Sequence, residues 1–133
     1  VWYPTVSLPF TLKTRRLHLS ANVPEILKLV IQTLKDKKVE DLTVLDVKKL
    51  VSYTDYFIIG TGNSSTHVQT MSDAVADLVK IPGGKTTKPE ADQGSSWILY
   101  DGDFFVLNLF QKDSRKRYAL EDLWHDANQV SVE

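Results

Sequence analysis

The chain contains no cysteine. Disulfide frameworks and thiolate zinc sites are therefore excluded, and the absence fits a reducing compartment. No apolar run approaches the roughly 20 residues that carry a helix across a bilayer. Histidine is sparse. His18, His67 and His125 are scattered, and none has a paired ligand at helical or zinc spacing. No internal repeat and no low-complexity tract interrupts the chain. Acidic residues are missing from positions 1–21, where the charges are Lys13, Arg15 and Arg16. A transit-peptide remnant reads this way, and so does an upstream extension. Residues 1–21 are therefore set apart as an N-terminal arm, and residues 22–133 as the domain.

What is present is an ordinary globule. Hydrophobic residues make up 42% and charged residues 25% of 133 positions, enough for one domain with a real core. The net charge of −1 is uneven. Taking the three cations of the arm from the total of 16 leaves 13 basic against 17 acidic groups in residues 22–133. A moderately acidic globule is a poor general binder of bare nucleic acid, whose affinity comes largely from phosphate neutralisation. It suits a basic protein surface better. Sequence-specific contact with nucleic acid is not expected.

The pattern centres on residues 55–67. Tyr56, Phe57, Ile58 and Ile59 form an apolar run of good strand formers, as in a strand buried on both faces. Gly60 and Gly62 are expected to give the backbone conformations closed to other residues. Asn63, Ser64 and Ser65 are N-cap candidates for a helix that carries Val68, Met71, Val75, Leu78 and Val79 on one face. Strand, glycine turn and amphipathic helix make the first half of a βαβ unit. Upstream, Pro24 and Glu25 start a helix carrying Ile26, Leu27, Val30, Ile31 and Leu34. A strand over residues 42–47 should pair antiparallel with the one at Tyr56. Downstream, Pro82-Gly83-Gly84 ends the central helix near Lys80. Residues 85–90 form a polar edge strand, with Pro89 marking the edge. Asp101-Gly102-Asp103 joins the strands 97–100 and 104–110 as a hairpin. Leu120, Leu123, Trp124 and Ala127 outline a last amphipathic helix. The expected fold is α/β, a mixed sheet of about five strands with helices packed on it.

Three features invite chemistry. Gly60-Thr61-Gly62-Asn63-Ser64-Ser65 lies where a phosphate-binding loop would lie. Ser65 holds the third glycine's place in a dinucleotide fingerprint, and no Lys-Ser or Lys-Thr pair follows, so a tight turn explains it. Asp101 and Asp103 have the spacing that puts two carboxylates on one strand face, as in metal-dependent nucleotidyltransferases. A polar hairpin around Gly102 explains them equally. His67 falls in the first turn of a helix, where a neutral, hydrogen-bonding imidazole is expected. Arg115-Lys116-Arg117 reads as a solvated basic turn. Trp124 reads as core, whereas Trp97 is open between core packing and an outward interface anchor.

Taken together, three blocks resemble the Iojap-like ribosomal silencing factor family, from about Pro24 to Ala127. The first is Thr54-Asp55-Tyr56-Phe57-Ile58-Ile59 with Thr61-Gly62, Ser64-Ser65 and His67-Val68. The second is Glu90 followed by Trp97-Ile98-Leu99 and Asp101. The third is Arg115, Tyr118, Leu120-Glu121 and Leu123-Trp124. The chain departs from the family pattern in three places. Ala91 follows Glu90 in place of glycine, the hairpin Asp-Gly step is shifted by one, and Asn108 stands where the family commonly has histidine. The resemblance implies a nucleotidyltransferase-like topology without a catalytic role, without a cofactor and without a metal. It implies docking on a ribosomal protein of the large subunit, at the face that meets the small subunit, so that joining is obstructed; organelle relatives assist large-subunit assembly. Trp97, Ile98 and Tyr118, with Leu120, are then the expected anchors, and Asp101 and Glu121 the expected rim. The cytoplasm is the expected compartment, with the mitochondrial or plastid matrix as the alternative. The competing readings are a metal-dependent nucleotidyltransferase using Asp101 and Asp103, and a scaffold that forms a homodimer when free through an exposed strand edge.

Overall fold

The computed structural model describes residues 18–20, 23–79, 88–102, 104–123 and 125–132, without the side chains of residues 18–20, 23, 24, 121 and 123. Most of the arm, residues 80–87, Asp103 and Trp124 lie outside the described residues. The chain divides into two compact units, residues 1–30 and 31–133. In the first, β1 (His18–Ser20) pairs antiparallel with β2 (Val23–Pro24). Helix α1 (Glu25–Asp36) begins right after Pro24. It buries Leu27, Val30, Ile31 and Leu34 along one stripe, the spacing that its sequence announces.

In the second unit, β3 (Glu40–Asp46), β4 (Tyr56–Gly62), β5 (Glu90–Ala91), β6 (Trp97–Asp101), β7 (Phe105–Gln111) and β8 (Asn128–Val130) form one sheet. Its order is β5-β6-β7-β4-β3-β8. Only the β4–β7 pair is parallel; the other pairs are antiparallel. The sheet is therefore mixed, with one strand more than expected. β4 sits centrally and is buried along its whole length, as its unbroken apolar run requires. Helix α2 (Ser65–Leu78) then carries the chain across one face of the sheet. Its Ser64 cap accepts a hydrogen bond from the His67 backbone N–H at 3.1 Å. The strand that returns parallel to β4 is β7, reached only after the β5–β6 edge.

Alternation assigns the two faces. Tyr56, Ile58, Leu107, Leu109, Ile98 and Tyr100 share the face of α2, whose Val68, Met71 and Val75 are buried there. Each such burial is worth about 1.5–3 kcal/mol. The other face carries Leu45, Phe57, Ile59 and Phe110, a buried cluster joined by Val47, with Val51, Trp97, Val106, Leu120 and Ala127 packed against it. Among the described residues it is covered in part by α3 (Lys112–Tyr118) and the single turn α4 (Leu120–Leu123). Among the described residues no helix is long and apolar enough to cross a membrane.

Several expectations are corrected. Gly60 and Gly62 lie inside β4 and neither has a positive φ. They are small because the space is taken. A Cβ at Gly60 would stand 2.7 Å from Val39 Cγ2, and one at Gly62 would stand 2.6 Å from Val68 Cγ1. Gly102 likewise makes room for the Phe105 ring, 2.3 Å from where its Cβ would lie. The hairpin closes where the Gly102 N–H donates to the Phe105 carbonyl at 2.9 Å, so the chain reverses beyond the Asp-Gly step. The last amphipathic helix is one turn long. After it Ala127 packs on the core and β8 pairs with β3, satisfying backbone groups that the edge would otherwise leave to solvent. The run Arg115-Lys116-Arg117 is not a turn but the end of α3, where cations complement the helix dipole. Of the expected polar strand at residues 85–90, residues 88–90 are described, and of these Glu90 alone is in a strand, the short β5 (Glu90–Ala91) at the sheet edge.

Candidate functional site

The half-covered face is where large side chains meet solvent. Its geometry starts with Asp92. One carboxylate oxygen accepts from the Trp97 backbone N–H at 2.9 Å, and the other accepts from the Ser96 hydroxyl. These bonds favour the anion and hold the Asp92 pKa below its ordinary value, the Ser96 hydroxyl contributing most and the Trp97 N–H next. Between them a short 3-10 turn, Gln93–Ser95, folds over Gly94 at φ +81° and Ser95 at φ +55°. Gln69 of α2 donates to the Ser95 hydroxyl at 2.8 Å, and Gln111 donates to the Gly94 and Ser95 carbonyls at 3.2 Å. The entry to β6 is thereby fixed, and Trp97 with it.

Trp97 lies opposite Phe110 in the β6–β7 register. Their rings stack at 5.2 Å between centroids with 28° between planes. The indole N–H donates to the Asn108 side-chain carbonyl at 3.1 Å, which pairs an amide that is only 3% exposed. Tyr118, the last residue of α3, closes the group at 4.7 Å from Trp97 and 5.9 Å from Phe110. Tyr118 keeps 39% of its surface in solvent. Ala119 follows in a left-handed conformation at φ +46°, and this turn brings Leu120 onto the same cluster.

Arg115 anchors α3 to the sheet. Its guanidinium donates to the Thr61 hydroxyl at 2.8 Å, to the Thr43 hydroxyl at 3.2 Å and to the Asp41 carbonyl. Asp41 has φ +50° within the register shift between Glu40 and Thr43. That irregularity sets where its carbonyl lies beside the guanidinium. The neighbouring cations behave otherwise: Lys112, Lys116 and Arg117 are exposed. A cleft of about 610 Å³ is lined by Thr61, Lys112, Arg115, Lys116 and Asp122, among others. A second, of about 510 Å³, is lined by Gly62, Asn63, Gln111, Lys112 and Arg117, among others.

Of the residues singled out in the sequence, the fold brings together Trp97, Tyr118 and Leu120. Asp101 lies on the same face, four residues along β6 and so roughly 13 Å away, and it is exposed. Ile98 does not share this face. It points toward α2 and is 2% exposed, because neighbours on a strand alternate sides. Glu121 lies in α4, and its side chain is outside the described residues. Asp103, the partner of Asp101 in the metal reading, is also outside them. Among the described residues no three His, Cys, Asp or Glu side chains gather as a metal site. His67 accepts from the Asn63 N–H through Nδ1 at 2.9 Å, and its Nε2 lies 2.6 Å from the Lys37 carbonyl. It is a hydrogen-bonded imidazole that ties the start of α2 to the chain after α1. Sequence reasoning did not place Phe110, Asn108 or Arg115 in the site. The first two follow from β6–β7 register, which a turn placed two residues later would have supplied.

The comparisons with known proteins agree with this architecture. The family model described as ribosomal silencing factor during starvation matches residues 20–133. Ribosomal silencing factor RsfS of Bacillus subtilis is 36% identical over 106 residues, covering 80% of this chain and 90% of that protein. A mouse protein named mitochondrial assembly of ribosomal large subunit protein 1 is 28% identical over 72% of this chain and 43% of its own length. A crystal structure of a Chromobacterium violaceum protein superposes with a TM-score of 0.69 at 31% identity, covering 80% of this chain and 88% of that one. On the match of the family model and the identity to the Bacillus protein, this chain belongs to the ribosomal silencing factor family.

Proposed function

We propose that the protein is a translation-silencing factor that occupies the large ribosomal subunit, through a ribosomal protein at the intersubunit face, and so obstructs joining or accompanies large-subunit assembly. The observation that carries this reading is the Trp97–Phe110–Tyr118 stack on a half-covered sheet face, with Tyr118 39% exposed. Aromatic side chains held rigid from below lose little entropy on docking and are the usual hot spots of an interface. Trp97, Tyr118 and Leu120 form the anchor, Ile98 supports it from the α2 side, and Asp101 and Glu121 form an acidic rim for a basic ribosomal protein. Rim charges speed encounter and set register more than they add affinity.

Obstruction requires occupancy and bulk, not a catalytic group. An interface of about 800 Å² per partner suffices for specific docking. Residues 22–133 are the binding domain, preceded by the arm of residues 1–21. The protein works in the cytoplasm, or in an organelle matrix if the arm is the remnant of a targeting sequence. Co-sedimentation with isolated large subunits tests the reading. Trp97→Ala and Tyr118→Ala should each cost about 2 kcal/mol, roughly 30-fold in affinity, while the variants stay folded. Unchanged binding in both would remove the anchor assignment.

A further inference from the structure

The aromatic face ends at Tyr118, and the same helix presents cations to solvent directly beside it. Helix α3 carries Lys112, Arg115, Lys116 and Arg117 in seven residues, with Asp113 as its one acid. Only Arg115 turns inward, onto Thr43, Thr61 and Asp41. Lys112, Lys116 and Arg117 are exposed, and among the described residues none of them forms an ion pair. Lys112 and Lys116 are one helical turn apart and so neighbours on the surface. Both line the 610 Å³ cleft, while Lys112 and Arg117 line the 510 Å³ one. Three cations that form no ion pair among the described residues thus stand along one ridge with an open cleft on each side, in a chain whose net charge is −1.

We infer that this ridge contacts the phosphate backbone of RNA on the particle to which the aromatic face docks. The inference rests on the proposed large-subunit binding and adds a second partner to it. Helix-dipole compensation accounts for one cation near the C-terminus of α3, but Lys112 is its first residue, where a positive charge opposes the dipole. A lysine there is better explained by an external anion. The acidic balance of residues 22–133 keeps free RNA from binding tightly, so the ridge acts once the aromatic anchor has brought it alongside. Lysine and arginine on an exposed helix follow phosphates without reading sequence.

The absence of cysteine makes a direct test possible. Lys116→Cys, labelled with a short photoreactive group, places one probe on the ridge. Illuminated on isolated large subunits, it should give a cross-linked product that ribonuclease digests down to the labelled chain. In parallel, the combined variant Lys112→Gln, Lys116→Gln, Arg117→Gln should reduce the steepness of log affinity against log salt by about 2–3, at about 0.7–0.9 for each phosphate no longer neutralised. A cross-link exclusively to protein, meaning an acidic protein partner, overturns the inference. So does a salt slope equal to that of the wild type. If the wild-type chain does not bind large subunits at all, it is the proposed function that fails.

Discussion

Replacing Arg115 with methionine removes the fork that ties α3 to β3 and β4. The guanidinium makes bonds of 2.8 Å to Thr61 and 3.2 Å to Thr43, and a further one to the Asp41 carbonyl. A hydrogen bond from a charged donor is worth about 1.5–3 kcal/mol, and a buried hydroxyl left alone costs about 1–3 kcal/mol. Thr61 is 1% exposed and cannot turn to water, whereas Thr43 is half-buried and can. Arg115 itself is half-buried, so part of its gain is offset by water in the unfolded chain. The net loss is about 2–4 kcal/mol, a fall of roughly 10 °C in Tm for a domain of this size. Arg115→Lys keeps the charge but not the planar fork, and should recover less than half of the loss. Urea unfolding with a shared slope measures both. If Arg115→Met matches the wild type within about 0.5 kcal/mol, or if lysine substitutes fully, the tether is not what holds α3.

Three other perturbations follow from the same geometry. Gly62→Ala places a methyl 2.6 Å from Val68 Cγ1 and 3.1 Å from Met71 Cε, so α2 must retreat from β4 at a cost of about 1–3 kcal/mol; an unchanged urea midpoint would contradict the close approach. Ser64→Ala removes the cap of α2 and should cost about 1 kcal/mol, with faster amide exchange at His67, whose N–H the cap accepts; unaltered exchange there would argue against it. Asp92 has a folded-state pKa below its ordinary 3.8, so its contribution is present above that value and is lost as pH falls through the lower folded one. The Trp97 amide resonance should therefore shift with a midpoint below 3.8 in wild type and not in Asp92→Asn; a midpoint at or above 3.8 would contradict the hydrogen bonds assigned to the carboxylate.

The strands and helices with a clean period were legible in the sequence. Tyr56, Phe57, Ile58 and Ile59 read as a buried strand and are one, and Val68, Met71 and Val75 read as the core face of α2 and are buried. What was not legible depended on three-dimensional proximity. The glycines of β4 signalled a turn by composition, yet their role is to admit Val39 and Val68, which no local pattern shows. Arg115 looked like one of three solvated cations, and only the packing of α3 against Thr43 and Thr61 separates it from Lys116 and Arg117. β8 carries Asn128 and Gln129, poor strand formers, and is a strand because β3 offers it an open edge. The candidate site divides the same way. Trp97 and Tyr118 stood out as large aromatics, whereas Phe110 and Asn108, which fix the indole, emerge only from the β6–β7 register.

The most direct measurement is subunit joining followed by light scattering, with isolated large subunits preincubated with increasing protein before small subunits are added. Wild-type protein is expected to slow joining in proportion to its occupancy, and Tyr118→Ala to need roughly 30 times more for the same effect, from a hot-spot loss of about 2 kcal/mol. Joining at an undiminished rate with wild-type protein in excess over the large subunits would contradict a role in obstruction.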